Sequence, residues 1–342
     1  MTERVGVVVI GAGRAGMVHA RNLAAGVPGA RLVAVADPSD AALARAVAEL
    51  GDIRTHSDPL AAVTADGVDA VVVASPTFSH ANVAVAALAA GRFVLCEKPL
   101  ASTLDDAHRV AAAERASDAT LLMGFMRRFD AGFQWVAHRI AAGDIGEPLL
   151  VKSTGRGPGL PPEWAWDATR SGGLVAEVNS HDLDTVRWLS LQEPVRIHAV
   201  GRAAKRPDLA ERHPGFVDVV AVTLELSAGG IGLVDGACPA DYGYDARVEV
   251  YGSEGVLFAG DVRQGTALLV RSEGVHADPV RSWRDLFANA YQAECRHLVA
   301  VARGDERPRT SVEDGVRALE AVVAANRSMT RGVPVAIDEV RA

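Results

Sequence analysis

The stretch Val5-Gly6-Val7-Val8-Val9-Ile10-Gly11-Ala12-Gly13-Arg14-Ala15-Gly16 decides the fold. Val5–Ile10 is a continuous run rich in β-branched residues, as expected of a strand buried on both faces. Glycines in G-x-G-x-x-G spacing follow at once, and Arg14–Ala25 then reads as a helix. Between a strand and a helix, each glycine has a mechanical task. Gly11 permits the tight turn, Gly13 lets the backbone approach a pyrophosphate, and Gly16 lets helix and strand pack closely. With Ala12, Arg14 and Ala15 they make a turn whose free N–H groups and positive helix end suit a dinucleotide phosphate.

Asp37 ends the next strand-like run, Leu32–Asp37. An acid there accepts hydrogen bonds from ribose hydroxyls and repels a 2′-phosphate. Pro38 and Ser39 follow, so no adjacent Arg neutralises such a phosphate, and the pattern favours NAD over NADP.

Outward from this turn the alternation continues. Helical Ser39–Leu50 ends at Gly51, Val71–Ala74 is a strand, and His80–Ala90 is a helix closed by Gly91. Phe93–Glu97 and Leu121–Phe125 read as strands, with a helix at Leu104–Ser117 between them. Strict alternation of strand and helix implies parallel strands with right-handed crossovers, a doubly wound α/β domain over residues 1–125. Beyond Met126 the rhythm changes. Phe129–Ala142 is still helical, but Leu149–Thr154, Val195–Arg202, Val217–Leu226, Ile231–Cys238, Arg247–Tyr251 and Ala267–Val270 are strand candidates. Turn signals such as Ser227-Ala228-Gly229-Gly230 and Gly252-Ser253-Glu254-Gly255 join them, which suits an open, mostly antiparallel sheet. Arg202–Gly215 reads as a polar surface loop, and helices at about Asp285–Arg303 and Val312–Thr330 close a second domain, residues 126–342. These last helices are placed to pack back on the first domain.

Composition bounds the rest. A chain of 342 residues makes two domains at about 150 residues each. With 49% hydrophobic and 23% charged residues it affords a packed core. The net charge of −8 gives no bulk pull toward nucleic acid or an anionic membrane. Three dispersed cysteines exclude a disulfide scaffold and a CxxC-type metal site, and fit a reducing cytoplasm. Met1-Thr2-Glu3-Arg4 runs straight into the first strand, leaving no room for a signal peptide, and no apolar run approaches the length of a membrane helix. The expectation is a cytoplasmic protein with a small-molecule substrate and no metal.

In doubly wound sheets ligands lie beyond the carboxyl ends of strands. Ser75, Pro76 and Thr77 follow one strand end and suit cofactor contact, while Ser79 serves equally as a helix cap. His80 stands open between structure and cofactor contact. Glu97-Lys98-Pro99 follows the next strand, and a cis bond before Pro99 would aim Lys98 sharply. The second constellation is Gly172-Gly173-Leu174-Val175-Ala176-Glu177-Val178-Asn179-Ser180-His181-Asp182. Glu177 and His181 are four apart, so on one helix they share a face. A carboxylate that holds an imidazole fixes its tautomer and raises its basicity, as a general base requires. Two carboxylates near one His, Asp182 and Asp184, are a thin case for a metal.

Glu97-Lys98-Pro99 after such a fingerprint, then a Gly-Gly…acid-x3-His segment, resembles the Gfo/Idh/MocA oxidoreductases. Ser75-Pro76-Thr77-x-x-His80, Gly124-Phe125-Met126-Arg127-Arg128-Phe129-Asp130, Tyr244-Asp245-x-Arg247-x-Glu249-x-x-Gly252 and Ala290-Tyr291-x-x-Glu294 are similar to its inositol-dehydrogenase members. The resemblance covers nearly the whole chain. It implies an NAD domain, then a domain whose open sheet face builds homodimers or homotetramers. It also implies Lys98 and His181, with Glu177 one turn before, as the catalytic group. Glu97 and Lys98 join the cofactor-side residues. Met126 and Arg127 match positions bordering substrate; Arg156, Trp164, Trp166, Asn179, Tyr242 and Tyr244 complete the substrate-side candidates. Inositol dehydrogenases usually carry Asp where this chain has Glu177, one methylene longer, which bears on substrate choice more than on dehydrogenase activity.

The expected reaction is NAD-dependent oxidation of a secondary hydroxyl on a cyclitol or pyranose, or the reverse ketone reduction. A non-catalytic NAD- or sugar-responsive regulator would not need both Lys98 and His181. An enzyme that retains NAD and oxidises its substrate only transiently would release no net NADH.

Overall fold

The computed structural model describes residues 4–341. Met1–Glu3, on which the expectation of no leader rests, lie outside the described residues. Two units are compact in themselves, one of Met1–Phe129 with Asn289–Val316, the other of Asp130–Ala288 with Arg317–Ala342.

In the first unit, strands β1 (Val5–Ile10), β2 (Ala30–Ala36), β3 (Arg54–His56), β4 (Ala70–Val73), β5 (Phe93–Glu97) and β6 (Leu121–Gly124) form one sheet. All pairs are parallel, in the order β3-β2-β1-β4-β5-β6. The order reverses between β1 and β4, the switch point beside which such sheets bind nucleotides. Helices α1 (Arg14–Gly26), α2 (Asp40–Leu50), α3 (Pro59–Val63), α4 (Thr77–Ala89) and α5 (Leu104–Arg115) make the crossovers. Their starts follow local chemistry: Ser39, Asp58 and Thr103 each cap the helix that follows with a side-chain oxygen. Every residue of β1 is buried, as its unbroken apolar run requires.

The second unit opens with α6 (Ala131–Ala141), capped by Asp130. Strand β7 (Pro148–Arg156) precedes the short helices α7 (Ala168–Ser171) and α8 (Gly173–Glu177), then α9 (Ser180–Ser190). Next come β8 (Pro194–Arg202), α10 (Pro207–Arg212), β9 (Val219–Leu226), β10 (Ile231–Ala237), β11 (Asp245–Gly252) and β12 (Val256–Ala259). A separate hairpin, β13 (Leu269–Arg271) and β14 (Gly274–His276), leads to α11 (Trp283–Leu286). The chain ends in α12 (Ala288–Ala302), α13 (Val312–Arg331), β15 (Val335–Ala336) and α14 (Asp338–Arg341). The large sheet runs β12-β11-β7-β10-β9-β8-β15. It is antiparallel except where β7 lies parallel to β10. Strand β9 alternates buried Val220, Val222 and Leu224 with exposed Val219, Ala221 and Thr223, so one face is covered and the other open.

Three local readings change. The spacing of Glu177 and His181 predicts one helix, but α8 stops at Glu177 and α9 starts at Ser180. The polar side chain of Asn179 explains the break, because its amide leaves the helix to donate to Gly155 O at 3.2 Å and Asp182 Oδ2 at 2.9 Å. The loop at Arg202–Gly215 contains α10, and the Asp218 carboxylate accepts the N–H groups of Ala204, Lys205 and Arg206 ahead of it. The single helix expected at Asp285–Arg303 is two, α11 and α12.

Candidate active site

In the first unit the phosphate turn has the geometry its glycines predict. Gly11 has φ +101°, and a Cβ there would lie 2.6 Å from Ala74 O. A Cβ on Gly16 would lie 1.8 Å from Gly11 O, so any side chain would push helix α1 off strand β1. Gly13 begins α1 and faces open space, with nothing within 4 Å of where its Cβ would be. Two glycines are closed in by protein and the middle one is open, which fits a pyrophosphate laid on the backbone here. Asp37 Oδ2 accepts the N–H of Ala12 at 2.8 Å, and Oδ1 that of Ser39 at 2.9 Å. The acid is thereby fixed beside the turn, and each oxygen keeps a second lone pair.

The strand ends beyond β4 and β5 are tied together by His80. Its Nδ1 is 2.8 Å from Pro99 O and its Nε2 is 2.8 Å from Ser75 O. The ring is buried, which lowers its basicity although both carbonyls favour the protonated form. A neutral His80 ring has one N–H and donates it to one of these two carbonyls, so the tautomer decides whether the Ser75 or the Pro99 main chain is held. Ser75 Oγ and Ser79 Oγ share a hydrogen bond at 2.6 Å, and Thr77 is buried at the start of α4. The Lys98–Pro99 peptide is cis, and Lys98 is half-buried directly after β5. Cys96 is fully buried in β5, and burial pushes its thiol up, as suits strand packing.

Glu97 is anchored from beneath. Its Oε1 lies 2.9 Å from His19 Nε2 and its Oε2 accepts the Lys98 N–H at 3.3 Å. Burial alone would raise this carboxyl; the hydrogen bond and charge of His19, with Lys98 and His80, hold it below its ordinary range. His19 escapes sequence reading because its partner is 78 residues away. The one signal is its position three residues after Gly16, on the covered side of α1. Met126 and Arg127, in the turn Met126–Phe129 after β6, are both buried in this same unit.

In the second unit, Glu177 ends α8 and His181 lies in the first turn of α9. His181 is almost wholly buried, at 6% exposure. Beneath it is a clip that sequence reading missed. Ser153 Oγ donates to Asp182 Oδ1 at 2.6 Å, and Asn179 donates to the other carboxylate oxygen. A Cβ on Gly155 would lie 2.0 Å from Asp182 Oδ2, and one on Gly236 would lie 2.1 Å from Asn179 Oδ1. These two strand glycines let the clip sit directly on the sheet and fix the junction that carries His181. Asn179 is thus engaged below the helices.

The other substrate-side candidates are placed differently. Strand alternation turns Arg156 to the sheet face opposite Gly155. There Arg156 Nε donates to Asp235 Oδ1 at 2.6 Å and its guanidinium to Tyr242 at 3.3 Å. Tyr242 donates to Asp245 at 2.7 Å, which also binds Arg247. Tyr244 is buried against Phe287, their rings edge-on at 6.2 Å. Trp166 donates to Pro161 O at 2.9 Å and meets His213 edge-on, anchoring its loop; Trp164 is half-buried nearby in sequence. Among the described residues no three His, Cys, Asp or Glu side chains gather as metal ligands. No described helix is long and apolar enough to cross a membrane.

Comparison with known proteins agrees with this geometry. Residues 5–125 match the model of the oxidoreductase family with an NAD-binding Rossmann fold, and residues 133–258 match the GFO/IDH/MocA C-terminal domain. The scyllo-inositol 2-dehydrogenase (NAD(+)) of Bacillus subtilis is 33% identical, covering 100% of this chain and 99% of its own length. Inositol 2-dehydrogenase 1 of Saccharopolyspora erythraea is 38% identical, covering 99% of this chain and 97% of its own. The crystal structure of a probable dehydrogenase from Thermotoga maritima superposes with a TM-score of 0.91 at 32% identity, over 98% of this chain and 100% of that one. Glycine turn, Glu97-Lys98-Pro99 corner and mostly antiparallel second sheet thus meet in one assignment: the chain belongs to the Gfo/Idh/MocA oxidoreductases, with an NAD-binding Rossmann domain at its N-terminus.

Proposed function

We propose that the protein oxidises a secondary hydroxyl of a cyclitol, or of a pyranose of similar shape, with NAD. The observation that carries this reading is Lys98 fixed at the carboxyl end of β5, in a domain whose phosphate turn is intact. The relatives named as inositol dehydrogenases supply the substrate class.

Gly11, Gly13 and Gly16 with the start of α1 would hold the pyrophosphate, and Asp37 the adenosine ribose. When bound, NAD supplies the hydride acceptor. His181, oriented by Glu177, takes the hydroxyl proton onto its imidazole. Lys98 Nζ donates a hydrogen bond to the reacting oxygen and stabilises the charge that develops there.

The open face of the second sheet supports self-association as a homodimer or homotetramer. Val200, Val219, Ile231, Tyr251 and Phe258, on five strands, are all exposed on it. These apolar side chains are interleaved with the ion pairs Arg196–Glu225 and Arg156–Asp235, a mixture of apolar and paired charged groups that a symmetric second copy can cover.

A panel of inositols, hexoses and aminosugars, followed at the nicotinamide absorbance, tests the proposal. NADH formation with at least one cyclitol or pyranose supports it. No turnover with any of them, by a protein that binds NAD, overturns it.

A further inference from the structure

The segment Ala290-Tyr291-x-x-Glu294 takes no part in the chemistry proposed above. Helix α12 nonetheless delivers it to the ground beneath Lys98. The Tyr291 ring meets His19 edge-on, 5.4 Å between centres, and Cys295 Sγ lies 3.4 Å from His19 Nδ1. His19 reaches Glu97, and Glu97 receives the Lys98 N–H. Glu294 is 1% exposed, and neither carboxyl oxygen has a hydrogen-bond partner among the described residues. A buried acid with no partner needs an explanation, because such groups are rare and costly.

We propose that Glu294 is a buried, neutral carboxylic acid and a positioning residue for Lys98. By keeping its proton it leaves Glu97 as the one anion beside His19, and so preserves the contact that seats the Lys98 main chain. The positioning role rests on Lys98 acting in the reaction as proposed above.

Two carboxylates sharing a buried site do not both ionise readily. Glu97 has an imidazole, a backbone N–H and the nearby charge of Lys98 to favour its anion. Glu294 has no hydrogen bond, so the proton settles there. Burial and the Glu97 charge push the Glu294 carboxyl well above its ordinary range, with His19 opposing them. Burial pulls the His19 imidazole down, but Cys295 and Glu97 outweigh it, and His19 rises well above its usual value. Tyr291 and Cys295 on α12, His19 on α1 and Glu97 on β5 are the groups about the site. Lys98 and His80 act on Glu97.

The sign of the pH effect follows. The folded protein keeps a proton on Glu294 that the unfolded chain has lost, so stability falls as pH rises from the ordinary carboxylate range toward the folded value. Glu294→Gln removes that dependence while keeping shape and neutrality.

Three readouts test the proposal on the intact protein. The infrared band of a protonated carboxyl should be present in the wild type near neutral pH and missing from Glu294→Gln. The melting temperature of Glu294→Gln should exceed that of the wild type by a few degrees at about pH 8, with a margin near zero at about pH 5. With a substrate in hand, kcat of Glu294→Gln should persist to higher pH than that of the wild type. Glu294→Met, which replaces a neutral acid by an apolar chain of similar length, should melt no lower than the wild type at neutral pH. An unchanged infrared band, a melting margin independent of pH, or a strongly destabilised Glu294→Met would show that Glu294 is ionised and overturn the proposal. Superimposable kcat profiles would overturn the positioning role alone. If the wild type oxidises no polyol, that role falls with the dehydrogenase reading, while the band and the melting margin still report whether Glu294 is neutral.

Discussion

Gly13 separates folding from binding more cleanly than any other residue of the site. Its missing Cβ would meet nothing within 4 Å, and its φ is −80°. Gly13→Ala should therefore melt within about a degree or two of the wild type. It should lose NAD affinity, because the added methyl stands where the pyrophosphate approaches; titration by tryptophan fluorescence reads this. Gly16→Ala should fail in the opposite way, with a clash against Gly11 O that costs about 1–3 kcal/mol or more of stability. If Asp37 holds the adenosine ribose as proposed, Asp37→Asn should narrow the NAD-over-NADP ratio of kcat/KM by about tenfold, the scale of one charge-assisted hydrogen bond. The turn geometry was legible in the sequence because a backbone task leaves a fixed spacing of glycines. The His19–Glu97 contact was not, since nothing local marks a helix residue and a strand-end residue 78 positions apart that meet in the fold.

At the scale of elements, the interrupted α8–α9 segment is what presents His181. The four-residue spacing of Glu177 and His181 was legible. The break between the helices was not, because it depends on Asn179 finding Gly155 O and Asp182, partners set by the sheet beneath. Asp182→Ala should remove the acceptor of the Ser153 hydroxyl and of one Asn179 amide hydrogen, whose other bond runs to Gly155 O, at about 1–3 kcal/mol for each lost bond. Its melting temperature should fall, and kcat should fall further than destabilisation explains if the clip positions His181. Retention of full kcat at a temperature where the variant is folded would show that the clip serves stability only. The parallel pairing of β7 with β10 escaped the sequence for a related reason: alternation reveals which face of a strand is covered, and says nothing of the neighbour's direction.

At the scale of the whole molecule, the strand–helix rhythm told the first sheet almost completely, apart from the three-residue edge strand β3, too short to show a period. The second sheet was legible as a class, and its open apolar face gives the oligomer prediction. Sedimentation should find a dimer or tetramer, and Ile231→Glu, which puts a charge on the exposed face of the central strand β10, should shift it toward monomer. A wild type that sediments as a monomer at high concentration would remove this part of the account. The central claim is that Lys98 and His181 serve one reaction. The most direct measurement is NAD-linked turnover of the best cyclitol or pyranose by Lys98→Ala and His181→Ala, each checked for wild-type NAD binding and melting temperature. The account predicts a fall in kcat of about 10²- to 10⁴-fold in each. Wild-type turnover by either variant would contradict it.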